Sequence, residues 1–171
     1  MLGDHPVAGF WPRLGAGAID WLVVIGALWI AFIAGAILGA DGGDVPLAVL
    51  YVLLLLLPLL YFGLAWARDG RTLGLRSTDL QLVATATGEP PSRQRALLRA
   101  LVAVLTFVAC WLPPVAAFGD GSAASAVIGA SLALAALAFV GHVWALVDRR
   151  GQSIQDRLFG LAVLAERPPE T

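Results

Sequence analysis

Residues 10–40 read FWPRLGAGAIDWLVVIGALWIAFIAGAILGA, an apolar run that carries one carboxylate, Asp20, with Arg13 seven residues before it. A helix needs roughly 20 residues at about 1.5 Å each to cross a hydrocarbon core, and this run exceeds that length. Spans of the same character cover residues 14–40, 45–67, 96–118 and 123–147. Pro58 interrupts the second, and Pro113 with Pro114 lie near the end of the third, where membrane helices tolerate kinks if neighbours satisfy the freed carbonyls.

Composition agrees. With 59% hydrophobic and 13% charged residues among 171, and a mean hydropathy of +0.83, the chain has too little polar surface to cover a water-soluble core of its size. The expected architecture is all-α, a four-transmembrane-helix bundle forming a single membrane domain. A cleaved leader is the weaker reading of the first span, because the apolar run is longer than a signal core and only Arg13 precedes it.

The basic residues set the topology. All 11 are arginines, and they fall at the N-terminus, in the loop 68–95 with its exit, or in the tail 148–171, whereas the loop 41–46 and the turn around Asp120 have none. The positive-inside rule then places both termini and the long loop in the cytoplasm. Arg68, Arg71, Arg76, Arg93, Arg95 and Arg99 form a basic face suited to anionic lipid headgroups. No aromatic residues interleave with them as a single-strand binder requires, so nucleic acid is not an expected partner. Cys110 is the single cysteine, which rules out an intramolecular disulfide and a thiolate metal cluster.

An internal repeat is visible. Gly70–Val83 (GRTLGLRSTDLQLV) aligns with Gly151–Leu164 (GQSIQDRLFGLAVL) through Gly70/Gly151, Thr72/Ser153, Leu73/Ile154, Arg76/Arg157 and Leu80/Leu161. Two units of two helices each would be related by a pseudo-two-fold along the membrane normal; chance similarity in a chain rich in Gly, Leu and Arg is the competing explanation. Ile154, Leu158, Leu161 and Leu164 or Ala165 recur at helical spacing, which predicts a short amphipathic interfacial helix in the tail. The DLQLV stretch alternates like a strand, and turns or short interfacial pieces are expected there.

A carboxylate inside a membrane helix normally faces the bundle interior and has a partner. Arg13 lies about 10 Å from Asp20 along a helix axis and would snorkel away from it. Counting depth from the cytoplasmic ends brings Asp20, Tyr61 and His142 to about 9–10 Å, with Arg99 reaching inward, so one polar layer could draw on every helix. That layer reads either as a proton or cation site, with the histidine exchanging protons and the arginine holding the carboxylate ionised, or as a set of groups that join the helices. Small residues at Ala31, Gly35 and Gly39, and at Ser125, Gly129 and Ala133, allow close helix packing or self-association without choosing between these.

The motifs GFWPRLGAGAIDWLV, GRTLGLR, LLRALV and DRRGQSIQDRLFGLAVL together resemble the RDD family of bacterial membrane proteins over nearly the whole chain. By position the resemblance implies Arg13 as the family's arginine, Asp20 as its first aspartate and Asp156 as its second. Leu75 stands where the family's Gly-x-Thr-x-Gly-Lys loop has lysine, and Leu161 follows Gly160 where threonine is common. The resemblance implies a small helical bundle in the bacterial plasma membrane and transport of ions or small ligands, with monovalent cation/proton antiport for some members; the first reading of the residues puts the transport site near Asp20, and a homo-oligomer is expected if transport holds, since four helices are few for alternating access. The alternative is an accessory or scaffold protein that docks a membrane-protein partner or anionic lipid. No enzyme signature, metal motif or cofactor motif is present, so no catalytic residue and no cofactor are expected.

Overall fold

The computed structural model describes residues 6–39, 47–116, 122–148 and 151–165. The chain is mostly helical. Its long helices are α1 (Phe10–Gly39) and α2 (Leu47–Asp69); after the short α3 (Leu73–Ser77) and the strand β1 (Leu80–Ala84) come α4 (Arg93–Ala116) and α5 (Ser122–Val143). A 3-10 turn, Trp144–Leu146, extends α5, and the short α6 (Ile154–Leu158) leads into β2 (Leu161–Ala165). The loop 41–46, the turn at Asp120, Arg149, Arg150 and the tail beyond residue 165 lie outside the described residues.

Two helices, α1 over Phe10–Ile37 and α5 over Ala124–Leu146, are long and apolar enough to cross a membrane. Their outward faces expose Ile30, Ile37 and Leu137, a surface suited to hydrocarbon rather than water. Pro58 is buried within α2 and leaves that helix continuous.

The all-α expectation is corrected by a two-stranded sheet. β1 and β2 pair antiparallel with Leu82 opposite Val163 at the centre. The tail is likewise not an amphipathic helix through residue 165: Gly160, at φ 64°, ends α6 after five residues, and Leu161 and Leu164 belong to β2. The helical spacing there came from a strand that is apolar throughout because it is buried on both faces, so periodicity carried no information.

The two segments around the sheet share their local features at the aligned positions. Gly70 and Gly151 have positive φ; Thr72 and Ser153 cap α3 and α6 through their hydroxyls; Asp79 and Gly160, both at positive φ, turn the chain into the strands. The sheet's outer edges are covered. Residues 6–8 run along β2, with the Ala8 N–H on the Val163 carbonyl at 2.8 Å, and the Leu82 N–H of β1 donates to Gly70 O at 2.8 Å. Leu80, Leu82, Leu161 and Val163 then form one core with Phe62, Trp66, Ala96 and Ala100 from the adjoining ends of α2 and α4.

Packing among the long helices is uneven. α2 lies against α4, α4 against α5, and α1 against α3. α1 and α5 have no comparable contact, and the space between them is a cavity of about 570 Å³.

Candidate functional site

Asp20 is buried on α1, and its partners come from the chain that follows α2. Tyr61 donates its hydroxyl to Asp20 Oδ1 at 2.7 Å, the Gly74 N–H donates to the same oxygen at 2.8 Å, and Thr72 donates to Oδ2 at 2.5 Å. Thr72 also acts as the α3 cap, accepting from the Leu75 N–H at 3.3 Å, and Tyr61 Oη accepts from the Leu73 N–H at 3.2 Å. This geometry gives the GRTLG stretch its physical meaning. Gly70 takes a positive φ of 72°, Thr72 links helix cap to carboxylate, and Gly74 lets α3 lie directly on the α1 backbone.

Asp156, also buried, is the counter-ion of two arginines. Ser153 caps α6 by accepting the Asp156 N–H at 3.1 Å, which turns the carboxylate toward α1 and α4. Arg13 Nη1 lies 3.2 Å from Asp156 Oδ2, while Arg99 reaches Oδ1 with both Nε and Nη2 at 2.9 Å. Arg13 Nη2 also donates to the Val163 carbonyl at 3.3 Å, tying α1 to β2. The Arg99 guanidinium carbon sits 4.2 Å from the Trp66 ring centroid, a cation–π contact. Burial alone would push the Asp156 carboxyl up; the charges of Arg99 and Arg13 outweigh it and hold the group below the usual carboxylate range.

The expected single polar layer is therefore corrected to two clusters. Tyr61 joins Asp20, but Arg99 pairs with Asp156, the carboxylate that the Ser153 cap turns toward it. His142 joins neither: it is exposed on α5, with Nδ1 2.8 Å from the Ala138 carbonyl of its own helix. Thr72, Gly74, Trp66 and Ser153 were not anticipated as site residues. For Thr72 and Ser153 a signal existed, since each is a cap-forming residue directly before a short helix.

Both clusters border the cavity between α1 and α5, whose walls are mostly apolar. Asp20, Asp156, Arg13, Arg99 and Trp66 contribute to its lining, and His142 lines it from α5. Each of the four carboxylate oxygens already accepts at least one hydrogen bond. Two polar atoms buried in the lining residues have no partner, Arg13 Nε and Trp66 Nε1, and both are donors. Among the described residues no group of His, Cys, Asp and Glu is placed to hold a metal ion.

The family model described as RDD family matches residues 7–164. The chain belongs to the RDD family. Nothing matches among curated proteins or among solved structures. Membership and the apolar helices together mark this RDD protein as a membrane protein. Of the three residues that the sequence resemblance carried over, Arg13 and Asp156 are in direct contact in this RDD chain, and Asp20 belongs to the separate α1–α3 cluster.

Proposed function

We propose that this RDD protein is a multi-pass protein of the bacterial plasma membrane that takes a small ligand into the cavity between α1 and α5, as a transporter or a transporter component. In this reading α1, α2, α4 and α5 all cross the bilayer, both termini and the sheet are cytoplasmic, and the two halves derive from one duplicated two-helix unit. The matched caps, turns and centred strand pairing of the two segments support the duplication. The observation that carries the ligand reading is the cavity itself. Its volume, about 570 Å³, falls within the roughly 300–1,000 Å³ of small-molecule sites, and its apolar walls end in buried, oriented polar groups.

The same geometry favours a small ligand over a monovalent cation at Asp20. A cation needs carboxylate lone pairs that face open space, whereas Tyr61, Thr72 and Gly74 occupy both Asp20 oxygens. Asp20 acts as the clasp that holds α3 on α1. The exposed Arg68, Arg93, Arg95 and Arg157 support a second role for this end of the molecule, contact with anionic headgroups.

Reconstitution in proteoliposomes tests the proposal. Ala135→Phe, which fills the cavity from α5, abolishes ligand uptake or release, while Asp20→Asn acts mainly on stability. Dissipation of a pH gradient by Na⁺, K⁺ or Li⁺ that disappears in Asp20→Asn at matched insertion would replace this reading with a cation site.

A further inference from the structure

The chemistry left open around the cavity identifies the class of ligand. Arg99 commits Nε and Nη2 to Asp156, and its Nη1 makes no bond among the described residues. Arg13 Nε and Trp66 Nε1 also lack an acceptor, but both atoms are buried in the protein, so Arg99 Nη1 is the donor a ligand would meet. All three residues line the cavity. Arg99 Nη1 is therefore a cationic donor left open at the cavity, while each oxygen of Asp20 and Asp156 already accepts a hydrogen bond. The two arginines share one carboxylate, Asp156, while Asp20 is met by its own three donors. Beyond this polar end the wall is apolar, formed by residues such as Trp21, Ala103 and Phe139.

We infer that the ligand is an amphiphile with an oxyanionic head, carboxylate or phosphate, bound with its head at Arg99 and its chain between α1 and α5. The inference rests on the cavity being the ligand site, as proposed above. A cation would sit beside two arginines with every oxygen of the two carboxylates already accepting a hydrogen bond, and a wholly apolar ligand would cover Arg99 Nη1 without giving it an acceptor, at a free-energy cost. A soluble anion would use the polar end and leave the apolar walls without contact. An amphiphile in the bilayer satisfies both ends of the cavity, and the gap between α1 and α5 is its route in.

The test uses the full-length protein in an uncharged sugar detergent and three probes with identical brominated chains. These are a fatty acid, a lysophosphatidylglycerol and a lysophosphatidylcholine whose phosphate is neutralised by choline. Bound bromine quenches Trp21 and Trp66, which line the cavity. The expected result is saturable quenching in which the two anionic probes bind about tenfold more tightly than the zwitterion, the scale of one charge-assisted hydrogen bond. Arg99→Gln removes that preference and Arg99→Lys keeps most of it. Ala135→Phe weakens all three probes.

Comparable binding of all three probes, still sensitive to Ala135→Phe, would overturn the oxyanion inference and leave the cavity reading intact. Binding indifferent to Ala135→Phe would overturn the cavity reading as well. Competition by inorganic phosphate or acetate as strong as that of the amphiphiles would assign the site to a soluble anion and overturn the amphiphile. Comparing heads on the unmutated protein decides the matter even if Arg99→Gln fails to fold, and the carboxylate and phosphate probes separate the two sources of oxyanion.

Discussion

A Cβ placed on Gly74 would lie 2.0 Å from the carbonyl oxygen of Ala16 and 2.9 Å from Cγ of Asp20. The backbones of α3 and α1 touch at this point, and the contact lets the Gly74 N–H reach the carboxylate. Gly74→Ala therefore forces α3 away from α1 and breaks the clasp. Overpacking of this kind typically costs about 1–3 kcal/mol, and the lost hydrogen bond adds to it. A lowered melting temperature in detergent, followed by tryptophan fluorescence, checks this; an unchanged melt would mean that α3 is not held there.

Asp20→Asn and Thr72→Val each remove part of the same hydrogen-bonded cluster. Each should destabilise by about 1–3 kcal/mol, and the double variant should lose clearly less than the sum. A double-mutant cycle on thermal or denaturant unfolding measures the coupling. Additive losses would show that the 2.5 Å contact between Thr72 and Asp20 contributes nothing shared.

Asp156 makes stability depend on acid pH in a defined direction. Burial opposes its ionisation, but Arg99 and Arg13 more than compensate, so its folded pKa lies below the unfolded value of roughly 4. The group's contribution is fully present above the unfolded value and is lost as pH falls through the folded one. Asp156→Asn, which leaves two arginines without a counter-ion, should cost about 3–5 kcal/mol at neutral pH. Below roughly pH 4 the gap between variant and unmutated protein should narrow, as unfolding curves across that range would record.

Cys110 is a built-in reporter, because it is the single cysteine of the chain and lines the cavity. Its alkylation by a small thiol reagent should slow severalfold when a bound amphiphile fills the cavity, and in Ala135→Phe without any ligand. Mass spectrometry of the intact protein gives the labelled fraction with time. A rate unaffected by either would place Cys110 outside the occupied space.

The long helices were legible because each is an uninterrupted apolar run, and structure and sequence differ by only a few residues where the ends are described. The strand at Leu80–Ala84 was legible in part through the alternation of DLQLV. The strand at Leu161–Ala165 was not, since LAVLA is apolar on both faces and only its pairing with β1 makes it a strand. Depth counting grouped Asp20 with Arg99 because it measures position along a helix axis and says nothing of rotation about it. Arg99 instead meets Asp156, delivered by a segment 57 residues away that no helical depth could rank. Thr72 carried a capping signal, but its hydroxyl's second partner, Asp20, depends on the approach of α3 to α1.

The pairing of Arg13 with Asp156 joins residues separated by 143 positions. Synthesis runs in one direction, so Arg13 and Arg99 leave the ribosome before the carboxylate that neutralises them, and β1 emerges with one edge unpaired until β2 follows. A chain that has not yet delivered the segment holding α6 and β2 presents two uncompensated arginines and an open strand. Delivery of α6 and β2 is thus the step that both neutralises the two arginines and closes the sheet.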